Sequence, residues 1–170
     1  PEPALAAFTS ALRFDRTVFA AQLGAGLACM KLGRAREAEE ALSQAASLRA
    51  SDPLESSRVH AARAELLAPL GRTAEALSAL QLVAGARALT AKEQRSLGQL
   101  YAATGDAAKA AATLEQVVSG GATDLDVLLE LDAAHQAVGR VPEAIAVFER
   151  VVGVEPTHPA ANARLGPCYA

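Results

Sequence analysis

Few side chains in this sequence could do chemistry, and none of them stands in the company that chemistry needs. The histidines are His60, His135 and His158, and the cysteines are Cys29 and Cys168. A metal site needs several such ligands at a fixed spacing, often two on one helix face, and no two of these share such a stretch. His60 and His135 are therefore expected to be buried and hydrogen-bonded, and His158, beside Pro159, to be solvated. Cys29 should behave as a small hydrophobe, and Cys168 follows Pro167 in an incomplete segment. No nucleophile is paired with a base, and no strand leads into a glycine-rich phosphate loop. An enzyme is not expected, nor is a cofactor or a metal. What remains is recognition, carried by cations such as Arg58, Lys92 and Arg95 and by apolar residues such as Leu23, Leu27 and Met30.

The elements that position these residues repeat one phrase. Residues 138–148 read VGRVPEAIAVF, and LGRTAEALSAL (70–80), TGDAAKAAATL (104–114) and LGRAREAEEAL (32–42) are versions of it. Gly33, Gly71, Gly105 and Gly139 are spaced by 38, 34 and 34 residues. A period of this size marks an array of stacked supersecondary units, each burying its apolar face against neighbours. Hydrophobic residues make up 51% of the 170 residues, yet aromatics are only 4%. Alanine fills much of the core, so helices can approach closely.

Bulk properties exclude several classes. A net charge of −3 gives no reason to expect nucleic acid, which needs a clustered basic surface. No apolar run is long enough to span a membrane. The two cysteines form neither a framework nor a metal spacing, so a cytoplasmic setting is the default and the compartment stays unknown. The chain starts at Pro1 without an initiator Met or a secretory pattern, so the natural N-terminus is expected to be missing. Arg far outnumbers Lys and Ala is abundant, as in a GC-rich bacterial gene.

Taken in order, the patterning predicts helices only. Pro3 opens a helix that reads as the second half of a unit whose first half is absent. Phe19–Leu32 follows, closed by Gly33, and Arg36–Leu48 pairs back on it. Four extra residues precede the next unit, where Asp52, Pro53 and Glu55 look like a cap, a first-turn proline and a returning carboxylate. Four residues approximate one turn, so a longer helix over Pro53–Leu70 is expected. Thr73–Val83 pairs with it, and Thr90 and Glu93 form a capping box before Ala91–Thr104. Ala107–Val118 follows, Asp124 caps Leu125–Val138, and Pro142–Val152 pairs with that. Pro159–Ala170 opens one more unit, with Pro167 expected to end the helix near Gly166.

These residues resemble the tetratricopeptide repeat family, a 34-residue helix–turn–helix. The family's small residue in the first helix is Gly26, Ala64, Gly98 and then Asp132, which departs. The alanine of its second helix is Ala38, Ala76, Ala110 and Ala144. The large residue one turn later is Leu42, Leu80, Leu114 and Phe148, with Phe8 fitting the leading half-unit. The family's aromatic appears only as Tyr101 and Tyr169, with Cys29, Leu67 and His135 in its place elsewhere. Its closing proline is kept only as Pro156. The resemblance covers the whole chain and implies an all-α helical-repeat solenoid: a right-handed superhelix of antiparallel helix pairs, with first helices lining a concave groove. The expected layout is one array over 1–170. Residues 1–18 are a truncated unit, 19–56, 57–90, 91–124 and 125–158 are repeats, and 159–170 begin a further one.

At about 100° per residue, one side of each first helix faces its partner and the opposite side faces the groove. That stripe contains Leu23, Leu27 and Met30 in the first repeat and Arg58 and Glu65 in the second. Lys92, Arg95 and Gln99 follow in the third, and Leu129 and Glu130 in the fourth. These are the candidate partner-binding residues. Leu23, Leu27 and Met30 could instead pack on the preceding half-unit, and the three cations could be solvated charge. The family's clamp for chaperone tails and its asparagine ladder are both absent, and Glu130, beyond Arg95 and Gln99, would repel a carboxylate.

The expected function is a protein–protein interaction scaffold within a longer protein, binding a peptide or partner surface that carries apolar and acidic residues. One alternative is a self-assembling module that stacks through Ala4–Leu12 and Pro159–Ala170. Another is the regulatory arm of an enzyme whose catalytic domain lies elsewhere.

Overall fold

The computed structural model describes residues 1–48, 51–121 and 124–166, and every regular element among them is helical. The chain divides into two compact units, Pro1–Leu89 and Thr90–Ala170.

The first unit holds α1 (Glu2–Phe14), α2 (Phe19–Lys31), α3 (Ala35–Leu48), α4 (Pro53–Leu67) and α5 (Thr73–Ala86). Each packs on the next in chain order. The turns explain why the helices double back: Gly33 and Gly71 adopt φ of 71° and 74°, a left-handed conformation that side chains rarely adopt. The four extra residues are absorbed at α4, but its end tightens into a 3₁₀ turn, Ala68–Leu70, around Pro69. Asp52 caps α4 by accepting from the amides of Leu54 and Glu55. Glu55 does not return to the cap; its carboxylate pairs with Arg58 instead. Ala38, Leu42, Ala45, Val59, Ala76 and Val83 form the fully buried line of this unit's interior.

The second unit holds α6 (Ala91–Ala103), α7 (Ala107–Ser119), α8 (Leu125–Ala137), α9 (Val141–Val154) and α10 (Pro159–Leu165). Thr90 and Glu93 form the expected reciprocal capping box at α6. Asp124 occupies the cap position of α8 but its side chain accepts no capping bond, contrary to expectation. His158, expected to be solvated, caps α10 by accepting from the Ala161 amide through Nδ1. Pro167, Cys168 and Tyr169 lie outside the described residues. The interior runs through Ala110, Leu114, Val127, Leu128, Phe148 and Val151.

One packing rule recurs in both units. A Cβ built on Gly26 would sit 2.8 Å from Leu42, and one on Gly98 would sit 2.7 Å from Leu114. The large residue of the second helix thus lies directly on the small residue of the first, which fixes how deeply each pair closes. Asp132 stands at the equivalent point of α8; it is buried and accepts from Gln136.

Candidate partner-binding surface

In the first unit, the surface of α2 and α4 away from their partner helices is only partly open. Leu23 was expected on that surface, but it is 4% exposed and belongs to the core. The reason is α1: its Phe8 ring lies across α2, within 2.5 Å of where a Gly24 Cβ would stand. Met30 is half-buried against the same core, whereas Leu27 is 40% exposed. Leu27 and Met30 therefore remain as apolar surface, beside exposed Glu65, Ala68 and Pro69. Arg58 is exposed, but Glu55 holds its guanidinium at 3.1 Å from one turn away.

In the second unit the corresponding faces of α6 and α8 carry a built polar network. Arg95 donates from Nη2 to Glu130 Oε1 at 2.7 Å and from Nε to Oε2 at 3.1 Å, a two-point contact between charged groups. Gln99 adds its amide to the same Oε1 at 2.8 Å. Asp126 lies 4.0 Å from the guanidinium. Hydrogen bonding to Glu130 is the main cause that raises the Arg95 pKa, so the cation is firmly held. Both side chains are half-buried, at 31% and 26% exposed, unlike freely solvated surface charge. Exposed Lys92 and half-buried Leu129 share this face, flanked by exposed Ala102, Ala103, Ala133 and Ala137.

The pairing of Arg95 with Glu130 escaped the sequence reading, although it carries a signal: the residues are 35 apart, about one repeat. Arg72 reaches Glu39 in the same way at 2.7 Å, and Arg34 reaches Glu2 at 2.8 Å. Opposite charges one period apart on a repeat array are therefore candidates for cross-repeat bonds.

The chemistry-bearing residues stay dispersed. His60 is half-buried, its Nδ1 meets no hydrogen-bond partner among the described residues, and burial followed by nearby Arg63 lowers its pKa. His135 is buried, with Nε2 3.5 Å from Glu115 and Nδ1 without a hydrogen bond. Neither Nδ1 meets a partner among the described residues, so the hydrogen bonds expected at these histidines are not found at those atoms. Cys29 is buried, and desolvation is the first cause that raises its thiol pKa. Among the described residues, no group of three or more His, Cys, Asp or Glu side chains could hold a metal ion. No helix among them is long and apolar enough to cross a membrane.

The tetratricopeptide repeat profile matches residues 20–52 and 96–119. No curated protein matches the sequence. Among solved structures, YrrB, described as a TPR protein with an unusual peptide-binding site, is 16% identical with a TM-score of 0.82, over 96% of this chain and 82% of that one. MamA is 20% identical with a TM-score of 0.77, over 90% of this chain and 87% of that one. The Cut9–Hcn1 hetero-tetramer of the APC/C gives 19% identity and a TM-score of 0.69, over 97% of this chain but 32% of that one. At such identities the likeness is one of fold.

Proposed function

We propose, on the premise that this chain carries tetratricopeptide repeats, that it is a protein–protein interaction scaffold binding a peptide through its first helices. One observation carries the reading: each unit leaves apolar or small side chains wholly or partly open on the first-helix face. In the first unit these are Leu27 and Met30, and in the second Leu129 with its flanking alanines. Methionine adapts to varied partners, and small residues let a bound chain approach the helix closely. YrrB's description as having a peptide-binding site supports a peptide as the form of the ligand. The acidic preference expected from Arg58, Lys92 and Arg95 is weakened, since Arg58 and Arg95 already hold carboxylates of this chain.

The test is selection of displayed random dodecapeptides on the purified chain, followed by affinity measurement against variants. Leu27→Glu or Ala133→Arg should weaken selected peptides at least tenfold, while Ser78→Arg, on exposed α5 surface, should leave them unchanged. Peptides indifferent to both groove variants would contradict the reading.

A second reading has one observation in its favour. Ala4, Ala7 and Ala11 of α1 are exposed, and Phe14 at the end of the same stripe is 94% exposed. Their counterparts in α3 and α5 include Ala38 and Ala76, both fully buried. A second copy covering that stripe would give a self-assembling module, with mass that rises with concentration.

A further inference from the structure

The second unit's surface contains a charge arrangement that bears on what it admits. Arginine recognises a ligand carboxylate best through two parallel donors, and Arg95 already spends Nε and Nη2 that way on Glu130. The acceptor is fixed from a second side by the Gln99 amide at 2.8 Å. Asp126, 81% exposed and 4.0 Å from the same guanidinium, adds a further carboxylate beside it. One two-donor edge of Arg95 is thus taken, and an acidic side chain approaching its remaining Nη1 side would meet the Glu130 and Asp126 carboxylates around a cation that is already paired. We propose that Glu130 is the specificity-determining residue of this surface: a resident carboxylate that occupies Arg95 and turns away acidic segments. The partner it fits is a peptide segment without acidic side chains, and a lysine or arginine in that segment would find Asp126. This rests on the peptide-binding reading above.

Removing the resident charge while keeping its shape exposes the device. Glu130→Gln should leave Arg95 in place but free to take a ligand carboxylate. Fluorescently labelled hexa-glutamate is titrated into wild type, Glu130→Gln, the double variant Glu130→Gln/Arg95→Gln, and Glu143→Gln. Glu143 is exposed on α9 and supplies the same change of net charge elsewhere. The expected result is at least a tenfold gain in affinity in Glu130→Gln, absent from the double variant and from Glu143→Gln. No gain, a gain shared by Glu143→Gln, or a gain that survives loss of Arg95 overturns the proposal. Should Glu130→Gln fail to fold, the wild-type protein decides by NMR: the Arg95 Nε–H resonance should stay in place as hexa-glutamate is added, and a shift overturns the proposal. The probe is a fixed peptide, so this outcome is separable from whether selected peptides use the first-helix faces.

Discussion

At the scale of single residues, space at the glycines decides what each substitution does. Alanine is the better helix former by about 1 kcal/mol, yet Gly98 lies under Leu114, which would stand 2.7 Å from a new Cβ. Overpacking of that kind costs about 1–3 kcal/mol, so Gly98→Ala should lower stability. Gly153 has open space around it, and Gly153→Ala should raise stability by about 0.5 kcal/mol. Urea denaturation of the two variants checks both signs. His60 supplies a pH effect. Burial and Arg63 lower its pKa below the ordinary 6.5, so the folded chain resists a proton that the unfolded chain accepts. Its contribution is therefore fully present above pH 6.5 and is lost as pH falls through that value toward the lowered one. His60→Gln should lose less stability than wild type between about pH 7.5 and 5.5. Equal losses would assign the acid sensitivity to other groups.

At the scale of elements, the helices were the most legible part of the sequence. The turn glycines demand a left-handed backbone and the alanine–leucine pairs set the buried stripe, so most predicted ends fall within one to three residues of those observed. The candidate surface was legible only in part. The angular argument placed Leu23 on the open face or against the preceding half-unit without choosing, and the Phe8 ring of α1 lying across α2 decides for the second. Nor does a single-helix projection show which charges meet across repeats, because Arg95 finds Glu130 on another helix. Two predictions belong here. Leu114 is 1% exposed between paired helices, and Leu114→Ala should cost about 2–5 kcal/mol through the cavity it leaves. Thr90→Ala removes the capping box of α6 and should cost about 1 kcal/mol. Calorimetric melting of both variants gives the comparison, and a larger loss for Thr90→Ala would contradict this ranking.

At the scale of the whole molecule, the period of the glycines specified an array of helix pairs before any contact was known, because every unit needs its neighbour's face to bury its own. That logic says nothing about a partner, which depends on residues the interior leaves alone. Light scattering across a dilution series addresses the exposed α1 stripe: a mass that climbs with concentration supports self-assembly, and a constant monomer mass rules it out over that range. The scaffold reading is tested most directly by mapping a selected dodecapeptide onto the chain by NMR chemical-shift perturbation. The account predicts shifts concentrated at Leu27 and Met30 or at Gln99, Leu129 and Ala133, with α5 and α9 quiet. Perturbations confined to the second helices would contradict it.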